Sequence, residues 1–193
     1  MRRFAFSLIL VGAASLLATP TFAHITPNVE LVKKSAFIHQ SLPGATQMFA
    51  KDLTSEVLER VHEATGWSPG KDEAKVYVGR DEGGALVGSV VFLWTASEHG
   101  PVGIGVAFDA SGTIRAATVT DMASEPLTWV RPLLQDGRIT AFDGLAPDAK
   151  PNPAEIAPDV YAKMTRYYAK VIAEGVARAR AVEKATLGTT SGG

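Results

Sequence analysis

Three polar side chains near the start of the last predicted helix have the chemistry of an anion-binding site. The helix is predicted over residues 158–183, and Lys163, Thr165 and Arg166 lie near its start. A helix N-terminus offers free backbone N–H groups and a positive partial charge, which suit a phosphate group. The alternative is that Lys163 and Arg166 form a solvated helix face, with Thr165 as a surface residue of the helix.

A second segment that could contact a ligand lies between a predicted strand and a predicted short helix at residues 127–134. Its residues of interest are Glu125, Pro126, Leu127 and Trp129. Such junctions often carry ligand contacts, because loops present functional groups from a rigid scaffold. Trp129 could stack on a ligand ring, although aromatic side chains more often belong to the core. We expect Tyr161 and Tyr168 in the core, and Trp94 as well.

Copper binding is an alternative chemistry that the histidines leave open. If a leader is removed after Ala23, His24 becomes the N-terminus, where its amine and imidazole together can chelate copper. A second histidine would complete such a site. The spacing selects none of His39, His62 or His99 as that partner.

Composition excludes several other classes of function. The 193 residues include no cysteine, which excludes disulfides, a thiolate nucleophile, cysteine-ligated zinc, iron–sulfur clusters and c-type haem attachment. A formal net charge of −1 gives no electrostatic basis for binding nucleic acid. The sequence also lacks the Gly-x-Ser-x-Gly, His-Glu-x-x-His and phosphate-loop motifs. We therefore predict no catalytic residue.

Residues 1–23 have the pattern of a secretory signal peptide. Arg2 and Arg3 precede an apolar run that is shorter than the roughly 20 residues of a membrane-spanning helix, and Thr21 and Ala23 supply a small-residue cleavage site. We expect export, to the periplasm or otherwise, and no membrane span in the mature chain. The alternative is an uncleaved N-terminal anchor.

The elements that must position these residues are strands and helices in separate parts of the chain. Alternating and β-branched residues predict four strands joined by short turns, over residues 74–78, 85–95, 102–108 and 113–119. Helical spacing predicts a helix over residues 53–66 with Gly66 as its stop, and the long C-terminal helix over residues 158–183. A further short helix is predicted over residues 29–38.

Together these elements predict an α+β fold. An antiparallel β meander packs against an N-terminal helix and a long C-terminal helix. The predicted organisation is a signal peptide (1–23), a lead-in segment (24–45), one domain (46–186) and a flexible tail (187–193).

The hairpin in the middle of the chain resembles the hairpin of the FMN-binding domain family. The family pattern of strand, turn, strand and a following Glu corresponds to residues 104–108, 111–114 and 116–120, and to Glu125. Residues 42–45 and 86–88 resemble the family's lead-in and another of its strands, and the resemblance covers roughly residues 42–180. Members include the C subunit of the sodium-translocating NADH:quinone reductase, the Rnf G subunit and the periplasmic domain of the nitrous-oxide-reductase regulator.

The resemblance implies an FMN cofactor for the domain at residues 46–186. Many members attach FMN through its phosphate to a Thr in a Ser/Thr-Gly-Ala-Thr-x-Ser/Thr motif at the start of the last helix, and helix phase places that position at Thr165. The residues before it here are Ala-Lys-Met, so we expect noncovalent rather than covalent binding. In the family, the segment with Glu125 approaches the isoalloxazine ring. The implied cofactor-binding residues are Lys163, Met164, Thr165, Arg166, Glu125, Pro126, Leu127 and Trp129.

We therefore expect an exported FMN-binding protein that serves as an electron-transfer or accessory component of a membrane or periplasmic redox system. If redox-active, it would be an electron carrier rather than an enzyme with its own substrate, and its partners would be membrane or periplasmic redox proteins. One alternative is a family member without flavin that acts as a periplasmic ligand-binding or accessory protein, which the missing Ser-Gly-Ala favours. The further alternative is a copper-binding protein through His24.

Overall fold

A computed structural model of the chain describes residues 27–70 and 72–188. The predicted signal peptide, His24 and residues 189–193 of the predicted tail lie outside the described residues. Six strands form one antiparallel sheet in the order β1-β6-β5-β4-β3-β2. Their bounds are β1 Asn28–Glu30, β2 Gln47–Lys51, β3 Ala74–Arg80, β4 Leu86–Thr95, β5 Val102–Asp109 and β6 Ile114–Ala123.

Five α-helices and one 3-10 helix accompany the sheet within the described residues. The α-helices are α1 Lys34–Ser41, α2 Ser55–Thr65, α3 Ser124–Gln135, α4 Pro153–Ile156 and α5 Lys163–Leu187, and the 3-10 helix is Arg138–Phe142. The ends of α2 follow from local chemistry. The Thr54 hydroxyl accepts a hydrogen bond from the backbone N–H of Val57, and Gly66 ends the helix with a φ of 70°.

The main core lies between one face of the sheet and α5, with α2 and α3 beside it. Alternate residues of β5 point into this core, and Ile104, Val106 and Phe108 are fully buried there. α5 approaches β5 closely at Gly175, where a Cβ atom would lie 2.7 Å from Cγ1 of Ile104. The glycine therefore sets the distance between the long helix and the sheet.

A smaller apolar cluster lies on the opposite face of the sheet, where α1 packs. Phe37 and Leu42 contact Val90, Phe92 and Ala107 there. The sheet thus carries helices on both faces, and the two faces have different neighbours.

The α+β class, the antiparallel sheet and the long C-terminal helix are confirmed. The four predicted strands correspond to β3, β4, β5 and β6, and the sheet has two further strands, β1 and β2, that we did not predict. The helix predicted over residues 29–38 is wrong in its first part, because β1 pairs with β6 there and α1 begins at Lys34.

The predicted start of the last helix is also wrong. The helix begins at Lys163 rather than near residue 158, and it continues to Leu187. Tyr161 lies before the helix and is only half-buried, and its hydroxyl donates a hydrogen bond to Asp136 at 2.6 Å. Tyr168 is fully buried, as predicted, whereas Trp94 and Trp129 are only partly buried.

In the part of the chain that the structure describes, no helix has both the length and the apolar character needed to cross a membrane.

Candidate functional site

The two segments singled out in the sequence meet at the start of α5. Trp129 on α3 stacks on Tyr168 of α5, with ring centroids 6.0 Å apart and an angle of 19° between the planes. Tyr167 packs edge-on against Tyr168 at 5.2 Å. Residues about 40 positions apart in the chain therefore share one aromatic cluster.

The carboxylate of Glu125 lies at the outer side of this cluster. The His99 ring lies 4.9 Å from the ring of Trp129, and its Nδ1 is 3.9 Å from Oε1 of Glu125. Glu125 itself is exposed. His99 is half-buried and joins Glu125 to the aromatic cluster.

The turn between β4 and β5 is held over the two tyrosines by hydrogen bonds. The hydroxyl of Tyr167 accepts from the backbone N–H of Glu98 at 2.9 Å, and the hydroxyls of Tyr168 and Ser97 lie 3.2 Å apart. Burial raises the pKa of Tyr168, so its hydroxyl keeps its proton. The turn that carries His99 is thus fixed relative to α5.

A groove of about 490 Å³ runs between α4 and the start of α5. One wall is α4 and the loop after it, and the other is the exposed face of α5, which carries Lys163, Arg166, Tyr167 and Lys170. The three cations are spaced at i, i+3 and i+7, which places them on the same side of a helix. The groove is therefore rich in positive charge and has an aromatic residue in its wall.

Arg166 lines this groove, and its guanidinium group pairs there with one carboxylate. Its Nη1 donates to Asp159 at 2.6 Å, while its Nε is buried without a hydrogen-bond partner. No side chain caps the N-terminus of α5 after Ala162. The groove thus lies at the uncapped N-terminus of a 25-residue helix and is lined by a guanidinium group.

The remaining predicted residues do not face the groove. Thr165 is 3% exposed, and Met164 packs in part against the main core. Pro126 is buried, and Leu127 packs against the same core. The structure thus brings Lys163 and Arg166 together in the groove, and Glu125 and Trp129 together beside it.

This donor set suits a phosphate group. The groove volume lies within the roughly 300–1,000 Å³ of small-molecule sites. Lysine and arginine side chains and an uncapped helix N-terminus are groups that bind phosphate in proteins. Tyr167 adds an aromatic surface for a planar ring.

Sequence reasoning missed Lys170, although its signal was present in the sequence. Lys163, Arg166 and Lys170 share one face of a helix, and the spacing alone shows this. Asp159 had no sequence signal, because its contact with Arg166 depends on how the loop before α5 folds.

The alternative of copper binding through His24 concerns a residue that lies outside the described part of the chain. His39 is exposed, and Nδ1 of His62 lies 3.0 Å from the hydroxyl of Ser68. Within residues 27–70 and 72–188, no three or more His, Asp or Glu side chains form a group that could hold a metal ion.

No protein-family model, curated protein or solved structure matches the chain.

Proposed function

We propose that this chain is an exported FMN-binding protein that serves as an electron-transfer or accessory component of a membrane or periplasmic redox system. The observation that carries the proposal is the groove at the start of α5, where Lys163, Arg166 and Lys170 line one wall. The resemblance of the central hairpin and of the order of elements supports the same conclusion. FMN, when bound, would supply the electron-carrying chemistry.

In this proposal the protein residues bind and orient the phosphate end of the cofactor. The Lys163 and Lys170 ammonium groups supply charge, and the guanidinium of Arg166, whose side chain is 41% exposed, offers its terminal N–H groups to the phosphate oxygens. The uncapped first turn of α5 adds backbone donors. Tyr167 provides the aromatic wall against which a planar ring can lie.

We propose noncovalent rather than covalent binding. A phosphoester at Thr165 would need its hydroxyl to be reachable, and Thr165 is 3% exposed with its side chain in the interior. The residues before it also lack the Ser-Gly-Ala of the covalent motif. The burial of Thr165 and the local sequence therefore both favour noncovalent binding.

The cluster of Trp129, His99 and Glu125 has a positioning role in this proposal. It is continuous with the groove wall, because Trp129 stacks on Tyr168 and Tyr168 contacts Tyr167. Tyr168 is fully buried, so the cluster holds the groove wall in place rather than contacting the cofactor through that ring.

Titration of the purified protein with FMN and with riboflavin tests the proposal. Because riboflavin has no phosphate, we expect FMN to bind at least about tenfold more tightly, which corresponds to about 1.4 kcal/mol. The variants Arg166→Met and Lys170→Met should each weaken FMN binding by about tenfold and leave riboflavin binding unchanged. Lys184→Met is the matched control, because Lys184 lies on the same helix at its other end.

Equal binding of FMN and riboflavin would contradict the phosphate site. A protein that binds neither compound would contradict the flavin proposal and would favour a ligand-binding or accessory role without flavin. Copper titration of the mature N-terminus would then address the alternative through His24.

A further inference from the structure

A second cavity, of about 240 Å³, lies on the face of the sheet opposite α5. It is distinct from the groove of the proposed flavin site. Its walls include the aromatic side chains Tyr77, Phe92 and Trp94, and its floor is formed at Gly103. Phe92 and Tyr77 pack edge-on with ring centroids 6.0 Å apart, so this part of the wall is a packed pair of rings.

A β-bulge in β6 places two oxygen atoms close to Gly103, which lines this cavity. Gly103 pairs with Asp121 and Ile104 with Val119, so Thr120 is the extra residue between them. A Cβ on Gly103 would lie 2.7 Å from Oγ1 of Thr120 and 3.1 Å from Oδ2 of Asp121. A glycine at this position is therefore required for both oxygens to lie where they do.

Neither of these oxygens has a hydrogen-bond partner. Thr120 is 1% exposed and lines the cavity, and Oγ1 of Thr120 and Oδ2 of Asp121 are both buried without one. The nearest cation is Nζ of Lys34, which is 3.9 Å from Oδ2 of Asp121 and too far to donate a hydrogen bond. Buried oxygens of this kind are normally satisfied, and a ligand with N–H donors would satisfy them.

A positive charge already lies at this cavity, whose lining also includes Asp72, Glu73 and Lys75. Nζ of Lys34 lies 5.8 Å from the ring centroid of Phe92 and 5.5 Å from that of Trp94. Aromatic faces and a carboxylate together favour a cation. The side chain of Lys34 is 47% exposed, so it can move away from the rings into water. Lys34 thus already places an ammonium group in this environment.

We propose that this cavity binds a small organic cation with N–H donors, a primary ammonium or a guanidinium, and that the Lys34 side chain is its tethered competitor. The ligand cation would take the place of the Lys34 ammonium over Phe92 and Trp94. Its N–H groups would donate to Oγ1 of Thr120 and Oδ2 of Asp121. Because a tethered group competes at an effective concentration in the millimolar range, removal of Lys34 should strengthen binding.

Calorimetric titration with n-butylammonium chloride tests this proposal, with sodium chloride as the ionic-strength control. We expect the Lys34→Met variant to bind one equivalent about tenfold more tightly than the unaltered protein. In the Lys34→Met background, Asp121→Asn and, separately, Thr120→Val should each weaken binding by at least about fivefold. Lys33→Met removes a neighbouring exposed lysine that does not line the cavity, and it should bind like the unaltered protein.

Two further probes show which chemistry the cavity recognises. Tetramethylammonium carries the charge without N–H donors, and glucose carries donors without the charge, so both should bind at least about tenfold more weakly than n-butylammonium. The proposal is overturned if Lys34→Met shows no binding up to about 10 mM ligand. It is also overturned if Lys33→Met strengthens binding as much as Lys34→Met, or if either further probe binds as well as n-butylammonium.

Should Asp121→Asn fail to fold, as judged by circular dichroism, the comparison of Thr120→Val with Lys34→Met alone decides the question. Unchanged affinity in a folded Thr120→Val protein would contradict the role of the buried oxygens.

Discussion

At the scale of single residues, Glu183 is a carboxyl group in an unusual environment. It lies on α5 at the far end from the groove at the start of that helix, is 8% exposed and faces the β5–β6 turn near Gly112. Burial raises the pKa of Glu183 to about 7, against the opposing effect of Arg180, and the nearby carboxylate of Asp109 raises it further. Lys184 acts in the same direction as Arg180. Near neutral pH, a proton on Glu183 therefore stabilises the folded protein.

This pKa predicts how stability changes with pH. The pKa of Glu183 is higher in the folded protein, at about 7, than its ordinary value of 4.5. Its contribution is therefore fully present below about pH 4.5 and is lost as the pH rises through about 7. Glu183→Gln should gain stability relative to the unaltered protein over this range, by roughly 2–3 kcal/mol above pH 7.

Urea unfolding at about pH 4 and about pH 8 measures this difference. Glu174→Gln is the control, because Glu174 is an exposed residue of the same helix that pairs with Arg178. A difference between Glu183→Gln and the unaltered protein that is the same at both pH values would contradict the buried-proton account.

Asp159 makes a second prediction at the residue scale, on ligand affinity. Its carboxylate accepts a hydrogen bond from Arg166 inside the groove, and its side chain is 98% exposed. In the proposed site it competes with the cofactor phosphate for the same guanidinium. Asp159→Asn should therefore tighten FMN binding by about threefold to tenfold without changing riboflavin binding.

Fluorescence titration of the two ligands measures this effect. Asp148→Asn is a matched control, because Asp148 is also an exposed carboxylate that lies near a cation of α5, Lys184, outside the groove. Weaker FMN binding in Asp159→Asn would show that Asp159 orients Arg166 rather than competing for it.

At the scale of elements, the packing of α5 on the sheet depends on one close contact. A Cβ on Gly175 would lie 2.7 Å from Cγ1 of Ile104. Ala is favoured over Gly in a helix by about 1 kcal/mol, and overpacking costs about 1–3 kcal/mol. We expect Gly175→Ala to destabilise the protein, because the contact involves the fully buried Ile104 in the centre of the sheet.

A double-mutant cycle with Ile104→Ala separates the two effects. Because Ile104→Ala removes Cγ1, the Gly175→Ala substitution should stabilise the Ile104→Ala protein and destabilise the protein that keeps Ile104. Denaturant unfolding of the four proteins measures it. If Gly175→Ala is stabilising in both backgrounds, the close contact does not limit the approach of α5.

The elements that the sequence predicted are those with strong local signals. Thr54 and Gly66 bound α2 by capping, and β3 to β6 contain β-branched or alternating residues joined by short turns. β1 and β2 are short edge strands whose residues are mostly exposed, so they lack a buried face that a sequence pattern could reveal. The start of α5 was misplaced because Tyr161 matches the helical spacing, although its contact is with Asp136.

The candidate site was predicted only in part for a similar reason. Lys163 and Arg166 lie on the same element as Lys170, so spacing along a helix relates them. The contact of Trp129 with Tyr168 and of His99 with Glu125 depends on the packing of α3, α5 and the β4–β5 turn. Such long-range contacts leave no trace in local periodicity.

At the scale of the whole molecule, the groove lies on the outer side of α5, whereas the second cavity lies on the face of the sheet opposite α5. α5 forms a wall of the groove that we assign to FMN, and α1 contributes Lys34 to the second cavity. The long helix spans from the groove at its start to Glu183 near its end. A flavin in the groove would therefore contact the element that also covers the main core.

The absorption spectrum of the protein purified from the exported fraction of its native host tests the central claim most directly. We predict flavin bands near roughly 370 and 450 nm that pass into the supernatant on acid precipitation, because we propose that the protein holds FMN without a covalent bond. Bands that stay with the pellet would contradict noncovalent binding, and Thr165→Ala should then remove them. A colourless protein that takes up no added FMN would contradict the flavin function itself.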